Sequence, residues 1–207
     1  MQRVPVIYLS SSMEALLRIT ACSPVSQWFA ALPDIDALLV ISRSPERRAL
    51  RICHSVASAA YASKLKAKCA AVLKVDVQRH VSSRLTLLAG LLLPHRSVSV
   101  MELHVPADYP AVDYQQFGAQ LAEGLAPGLA VMCFDRQASR ASPASQQEML
   151  AAIRQLQSES VRSAAGIPET RALICAAVGL AGSQAPSRIF DSRSESGRAV
   201  LSGCAWA

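Results

Sequence analysis

Two residues that could exchange a proton stand two positions apart in an apolar run. Glu102 and His104 lie within residues 97–105, where the apolar residues predict a β-strand. Residues two apart on a strand point to the same face, so this carboxyl and this imidazole could act as an acid/base pair. An exposed strand face carries such pairs routinely. We therefore expect Glu102 to have a structural role, with no catalytic residue at this position.

The other residues able to do chemistry form no familiar pattern. Neither CxxC pairs nor HxxxH and HExxH spacings occur, and the sequence has no GxGxxG, GxxxxGK[ST] or GxSxG motif. We expect reduced, buried thiols, no metal site and no cofactor, in a protein that binds and does not catalyse. The six cysteines are Cys22, Cys53, Cys69, Cys133, Cys175 and Cys204.

Positive charge is concentrated in one part of the chain. Residues 43–96 hold eleven Lys/Arg and two Asp/Glu, while the remainder holds ten and thirteen, which together give the net charge of +6. Ser44-Pro45-Glu46 predicts the start of a helix, and a basic stripe along it would suit contacts with phosphates. A solvated helix face explains the same residues equally well. The predicted tRNA-binding residues are Arg47, Arg48, Arg51, Lys64, Lys66 and Lys68.

The surrounding pattern predicts one α+β domain over residues 1–207, with a small, mostly antiparallel sheet of about four strands and six to eight helices. The strands are expected at 4–10, 37–42, 97–105 and 128–135. The helices are expected at 12–19, 24–32, 44–61, 75–93, 111–124 and 142–161, and from Pro168 onward. Residues 182–198, rich in Ser, Arg and Gly, are expected to be loose.

No apolar run is long enough to cross a bilayer, and the first residues do not resemble a signal peptide. We expect no membrane association and a cytoplasmic and nuclear location.

The order of these segments resembles a known family. "IDALLVIS" (35–42), "SVSVMEL" (97–103), the Phe117-Gly118 pair, "LAVMCFD" (129–135) and "GIPETRALICAAVGL" (166–180) follow one another. This series resembles the small accessory subunit of the KEOPS/EKC complex, the PRPK-binding protein family (TPRKB). Residues 69–94 depart from the family pattern and look like an insertion.

The resemblance implies a non-catalytic accessory subunit. Such a subunit binds the small atypical protein kinase of KEOPS and assists tRNA, through its 3′ region, in threonylcarbamoyladenosine modification. The late helices carry more apolar residues than one face needs, which suits kinase binding. The predicted kinase-binding residues are Leu150, Ile153, Leu173, Ile174 and Val178.

Two other classes of protein stay open as alternatives to the accessory subunit. A structural subunit of a large ribosomal or respiratory assembly would share the Ala-rich, basic composition. A thiol or acid/base enzyme would need one pocket that brings a cysteine, or Glu102 and His104, together.

Overall fold

The structure is a computed structural model that describes residues 4–20, 23–44, 50–70, 75–94, 96–106, 111–125, 127–136, 172–193 and 199–207.

The described residues form a single mixed sheet of eight strands. Its order is β4-β3-β5-β2-β6-β1-β8-β7. The four central strands, β5, β2, β6 and β1, run parallel, while β3 pairs with β5 and β8 pairs with β1 in antiparallel fashion. The strands are β1 Val6–Ser11, β2 Ala37–Ser44, β3 Leu50–His54, β4 Val75–Gln78, β5 Ser99–Pro106, β6 Leu129–Arg136, β7 Arg188–Arg193 and β8 Ala199–Trp206.

Helices cover both faces of this sheet. They are α1 Met13–Leu16, α2 Pro24–Ala30, α3 Ala59–Ala70, α4 Ser83–Leu92, α5 Ala111–Ala122 and α6 Ala172–Leu180, with a 3-10 turn at Val56–Ser58. Local chemistry fixes some of their ends. The Ser23 hydroxyl accepts from the Ser26 N–H at 3.1 Å, ahead of a proline in the first turn of α2. In the described part of the chain, no helix is long and apolar enough to cross a membrane.

Alternate residues of the central strands point to opposite faces of the sheet and pack into two apolar layers. On β2, Leu39 and Ile41 pack with α3, α5 and α6, whereas Leu38 and Val40 pack with α1, α2 and α4. Strands covered on both faces read as unbroken apolar runs, which is why β1, β2, β5 and β6 are visible in the sequence. The predicted strands at 4–10, 37–42, 97–105 and 128–135 are confirmed.

The predicted size and pairing of the sheet are wrong. The α+β class holds, but the described sheet has eight strands and a parallel centre in place of about four mostly antiparallel strands. The four strands that were missed are short, lie toward the edges, or belong to polar segments. Arg188–Arg193, for example, form β7 within the segment expected to be loose.

Two predicted helices are also wrong. The helix from Ser44 does not form, because β2 extends to Ser44 and residues 50–54 form β3. The helix over 75–93 is divided into the edge strand β4 and the shorter helix α4. In the stretch expected to be an insertion, Leu85, Leu88 and Leu92 are buried in the core. The predicted helix at 142–161 lies outside the described residues.

Candidate functional site

A cleft of about 770 Å³ opens where the central parallel strands end. Its walls come from β2, β3, β5 and β6, together with the segment that leads into α4. Ligands of open sheets with parallel strands commonly bind beyond the carboxyl ends of those strands. The position of this cleft therefore makes it the candidate site.

Glu102 and His104 both line this cleft, on the same face of β5 as expected. They do not stand on an exposed strand face, because β5 lies inside the sheet and Glu102 is 7% exposed. Glu102 Oε1 is 3.8 Å from His104 Nε2, which is too long for a hydrogen bond. Each group is held from its other side: the Ser82 N–H donates to Glu102 Oε2 at 2.8 Å, and Ser42 Oγ lies 3.1 Å from His104 Nδ1.

Burial controls the charge of this pair. Desolvation raises the pKa of Glu102, while the hydrogen bond from Ser82 and the positive charge of Arg51 oppose the rise. Desolvation, followed by the charge of Arg51, lowers the pKa of His104 to about 4. His104 is therefore neutral at pH 7, with one ring nitrogen able to act as a ligand or a hydrogen-bond acceptor.

Cys53 joins the pair from the neighbouring strand. It is the register partner of Glu102 across the antiparallel β3–β5 ladder, and it is buried. Its Sγ lies 3.9 Å from Gln78 Oε1 of β4. In the part of the chain that the structure describes, Cys53, Glu102 and His104 form the group whose ligand atoms could hold a metal ion, all within 4.8 Å of one another.

Arg51 is the register partner of His104 and also lines the cleft. Its Nε is buried and has no hydrogen-bond partner among the described residues. A buried, charged N–H donor without an acceptor is costly, and the residue that carries it also lines the cleft.

A second polar cluster lies at the same end of the sheet, on strands β1, β2 and β6. Arg43 Nη2 pairs with Asp135 Oδ1 at 3.2 Å, and the buried Tyr8 hydroxyl donates to Asp135 Oδ2 at 3.4 Å. Burial raises the pKa of Asp135, which the charge of Arg43 partly offsets. Burial and the nearby Asp135 raise the pKa of Tyr8.

The predicted tRNA-binding residues are not brought onto one helix. Arg47 and Arg48 lie outside the described residues, and Arg51 belongs to β3. Lys64, Lys66 and Lys68 are exposed on α3, but Lys66 points away from the other two because it is two positions from each.

The predicted kinase-binding residues divide in the same way. Leu150 and Ile153 lie outside the described residues. Leu173, Ile174 and Val178 are at most 1% exposed in the layer between α6 and the sheet. The apolar content of α6 is therefore used by the core and does not form a surface patch.

The sequence places Glu102 and His104 on one face of a strand, but we expected no site there. Cys53 and the position of Arg51 in the cleft were missed. The signal for both is the antiparallel pairing of β3 with β5, which joins residues about fifty positions apart. Local spacing cannot show that pairing.

Comparison with known proteins gives a fold and no family. No family model matches the chain, and no curated protein matches it. Among solved structures, the chain is similar to the crystal structure of uncharacterized protein JW3007 from Escherichia coli K12. The match has a TM-score of 0.65 and 13% identity, and it covers 98% of this chain and 99% of that one. At this identity the likeness shows a shared fold alone, and the resemblance to the KEOPS subunit stays a prediction.

Proposed function

We propose that the protein binds a small anionic molecule, with a carboxylate or phosphate group, in the cleft at the ends of β2, β5 and β6. The proposal rests on Arg51, which lines the cleft. Its buried Nε has no hydrogen-bond acceptor among the described residues. Guanidinium groups bind carboxylate and phosphate oxygens through charge-assisted hydrogen bonds. An anionic oxygen that reaches this guanidinium from the cleft would offset the cost of the unpaired donor.

The charge of the cleft supports the same ligand class. Four arginines and two carboxyl groups line it. Arg43 is paired with Asp135, and Arg84 lies 3.5 Å from Glu14 in an exposed contact. The lining therefore keeps an excess of positive charge that attracts anions, although the charge of Arg51 also acts on Glu102.

The dimensions of the cleft are also suitable. Its volume of about 770 Å³ lies within the range of small-molecule sites, which run from roughly 300 to 1,000 Å³. Apolar side chains, including Met13, Leu85 and Phe134, contribute to the same walls. A ligand with one anionic end and a short apolar body would match this lining.

Isothermal titration calorimetry with inorganic phosphate and with succinate tests the proposal. We expect millimolar or tighter binding of at least one probe, and Arg51→Gln should weaken it by roughly 10- to 100-fold, the value of a hydrogen bond to a charged group. Arg188→Gln is the matched control, because Arg188 is an exposed arginine on the edge strand β7. Absence of binding by the folded wild type, or equal binding by Arg51→Gln, would overturn the proposal.

The accessory-subunit function implied by the resemblance is a second proposal, and the exposed lysines of α3 favour its tRNA component. Lys64 and Lys68 are four positions apart and therefore neighbours on the helix. Phosphate contacts made by these lysines would be steeply salt-dependent, since each contact releases counterions.

A filter-binding titration of tRNA over a range of salt concentrations tests this second proposal. We expect Lys64→Glu/Lys68→Glu to weaken binding at low salt and to flatten the salt dependence by nearly one unit of slope for each lysine–phosphate pair removed. Arg188→Glu should leave both unchanged. Unaltered affinity and slope in the lysine variant would show that α3 is a solvated face.

A further inference from the structure

The arrangement of Cys53, Glu102 and His104 has the properties of a metal site. These residues offer a thiol, a carboxylate and an imidazole, and their ligand atoms lie within 4.8 Å of one another. In a tetrahedral zinc site with bonds of about 2.0–2.3 Å, two ligand atoms are roughly 3.3–3.8 Å apart. The separation of 3.8 Å between Glu102 Oε1 and His104 Nε2 fits that geometry, whereas it does not fit a hydrogen bond.

We infer that Cys53, Glu102 and His104 bind a divalent transition metal, zinc being the best match. Thiolate and imidazole ligands favour zinc over magnesium or calcium, which prefer oxygen ligands alone. The three residues come from β3 and β5, two paired strands of the sheet, so their backbones are fixed relative to one another. Closing the three ligand atoms onto one ion requires side-chain shifts of about 1 Å.

The surrounding hydrogen bonds orient two of the ligands for this role. The Ser82 N–H binds Glu102 Oε2 and leaves Oε1 toward the imidazole. Ser42 Oγ lies 3.1 Å from His104 Nδ1, so a proton on Nδ1 directed at Ser42 leaves the lone pair of Nε2 for the metal. Supporting hydrogen bonds of this kind hold metal-binding imidazoles and carboxylates in natural sites.

The fourth ligand position would open into the cleft. When the protein supplies three ligands to a tetrahedral ion, one position remains for water or for another molecule, as in catalytic zinc sites. Two anionic ligands balance the charge of the ion, so the positive charge of Arg51 remains to attract an anion beside it. Completion of the metal's coordination by an anion rests on the proposed function. Binding of the metal by the three side chains does not depend on that function.

Titration of the purified, metal-depleted full chain with Co²⁺ tests the inference. We expect one equivalent of Co²⁺ to bind, with d–d absorption typical of tetrahedral cobalt and a near-ultraviolet band from thiolate-to-cobalt charge transfer. One equivalent of Zn²⁺ should displace it. Cys53→Ser should remove the charge-transfer band, and His104→Gln should weaken binding by at least 100-fold.

Three further variants separate the possible results. Cys69→Ser changes another buried cysteine, on α3, and should keep the band. Ser42→Ala should weaken binding by roughly 10- to 100-fold, the usual effect of removing a hydrogen bond that supports a metal ligand. Arg51→Gln should keep the band while its binding of phosphate or succinate weakens by roughly 10- to 100-fold. Failure of the anion proposal and failure of the metal site therefore give different results. A folded wild type without the band, or a Cys53→Ser variant that retains it, would overturn the metal site.

Discussion

Gly118 of α5 and Gly179 of α6 lie where these two helices cross, each against the backbone of the other helix. A Cβ on Gly118 would overlap the carbonyl of Ala176, and a Cβ on Gly179 would overlap the carbonyl of Gln115. The helices can approach this closely because neither residue has a side chain. The layer that covers β1, β2 and β6 on this face depends on that close approach.

Gly118→Ala and Gly179→Ala should each destabilise the protein by about 1–3 kcal/mol, because an added methyl group must push the two helices apart. Gly90→Ala is the matched control within α4, where a Cβ has nothing within 4 Å. It should stabilise the protein by about 0.5–1 kcal/mol, since alanine favours the helix. Urea unfolding followed by circular dichroism measures all three. Equal effects at the three positions would contradict the close crossing.

Asp135→Asn should change how stability depends on pH. Burial raises the pKa of Asp135 above its ordinary value of 3.8, so the folded state favours the protonated carboxyl. This contribution to stability is fully present below about pH 4 and is lost as the pH rises through the folded pKa. Its size is about 1.4 kcal/mol for each unit by which folding raises the pKa. The unfolding free energy of the wild type minus that of the variant should therefore be largest near pH 4 and fall toward pH 7. Parallel curves for the two proteins would show that Asp135 does not titrate in this way.

Cys69 should resist alkylation in the folded protein. Burial raises the pKa of its thiol from 9.0 to about 11, so at pH 8 roughly 100-fold less thiolate is present than for an ordinary cysteine. Iodoacetamide labelling followed by peptide mass mapping should find Cys69 unmodified in the native state and modified in urea. Rapid labelling of the native protein at this residue would indicate that α3 opens from the sheet.

Arg96 should stabilise the protein although it belongs to the basic stretch of the sequence. Its guanidinium donates to the carbonyls of Pro33 and Leu32, just beyond the end of α2, at 2.7 and 3.0 Å. Arg96→Gln should cost about 1 kcal/mol, the value of a partly exposed hydrogen bond. Arg79→Gln, at an exposed arginine of the same stretch, should stay within about 0.5 kcal/mol of the wild type. Thermal unfolding distinguishes the two, and equal stability would assign Arg96 to the solvated surface.

The sequence predicts the centre of the fold better than its edges, for a physical reason. β1, β2, β5 and β6 are covered on both faces and read as apolar runs, so their type is visible locally. In β3, Leu50 and Cys53 stand three apart, and the Ser-Pro-Glu before them favours a helix start, so local spacing predicts a helix. Pairing with β5 and β4 overrides that preference.

The same limit applies to the candidate site. The sequence shows that Glu102 and His104 share a strand face, because they are two positions apart, but not that this face lines a cleft. Cys53 and Arg51 reach them through the β3–β5 ladder, which no local pattern encodes. Leu173, Ile174 and Val178 are buried because α6 packs against α5 and against strands β1, β2 and β6, contacts that the sequence does not show.

The place of β1 in the sheet has a consequence for synthesis on the ribosome. β1 pairs with β6 and β8, and its Tyr8 meets an Asp135 that lies 127 residues later. At translation rates of about 5–20 residues per second, roughly 6–25 s pass between the synthesis of β1 and that of β6. During this interval the apolar β1 segment has neither of the strands that flank it in the folded protein. The nascent chain therefore carries an apolar strand with two unpaired edges, a condition that favours aggregation, until the second half of the protein arrives.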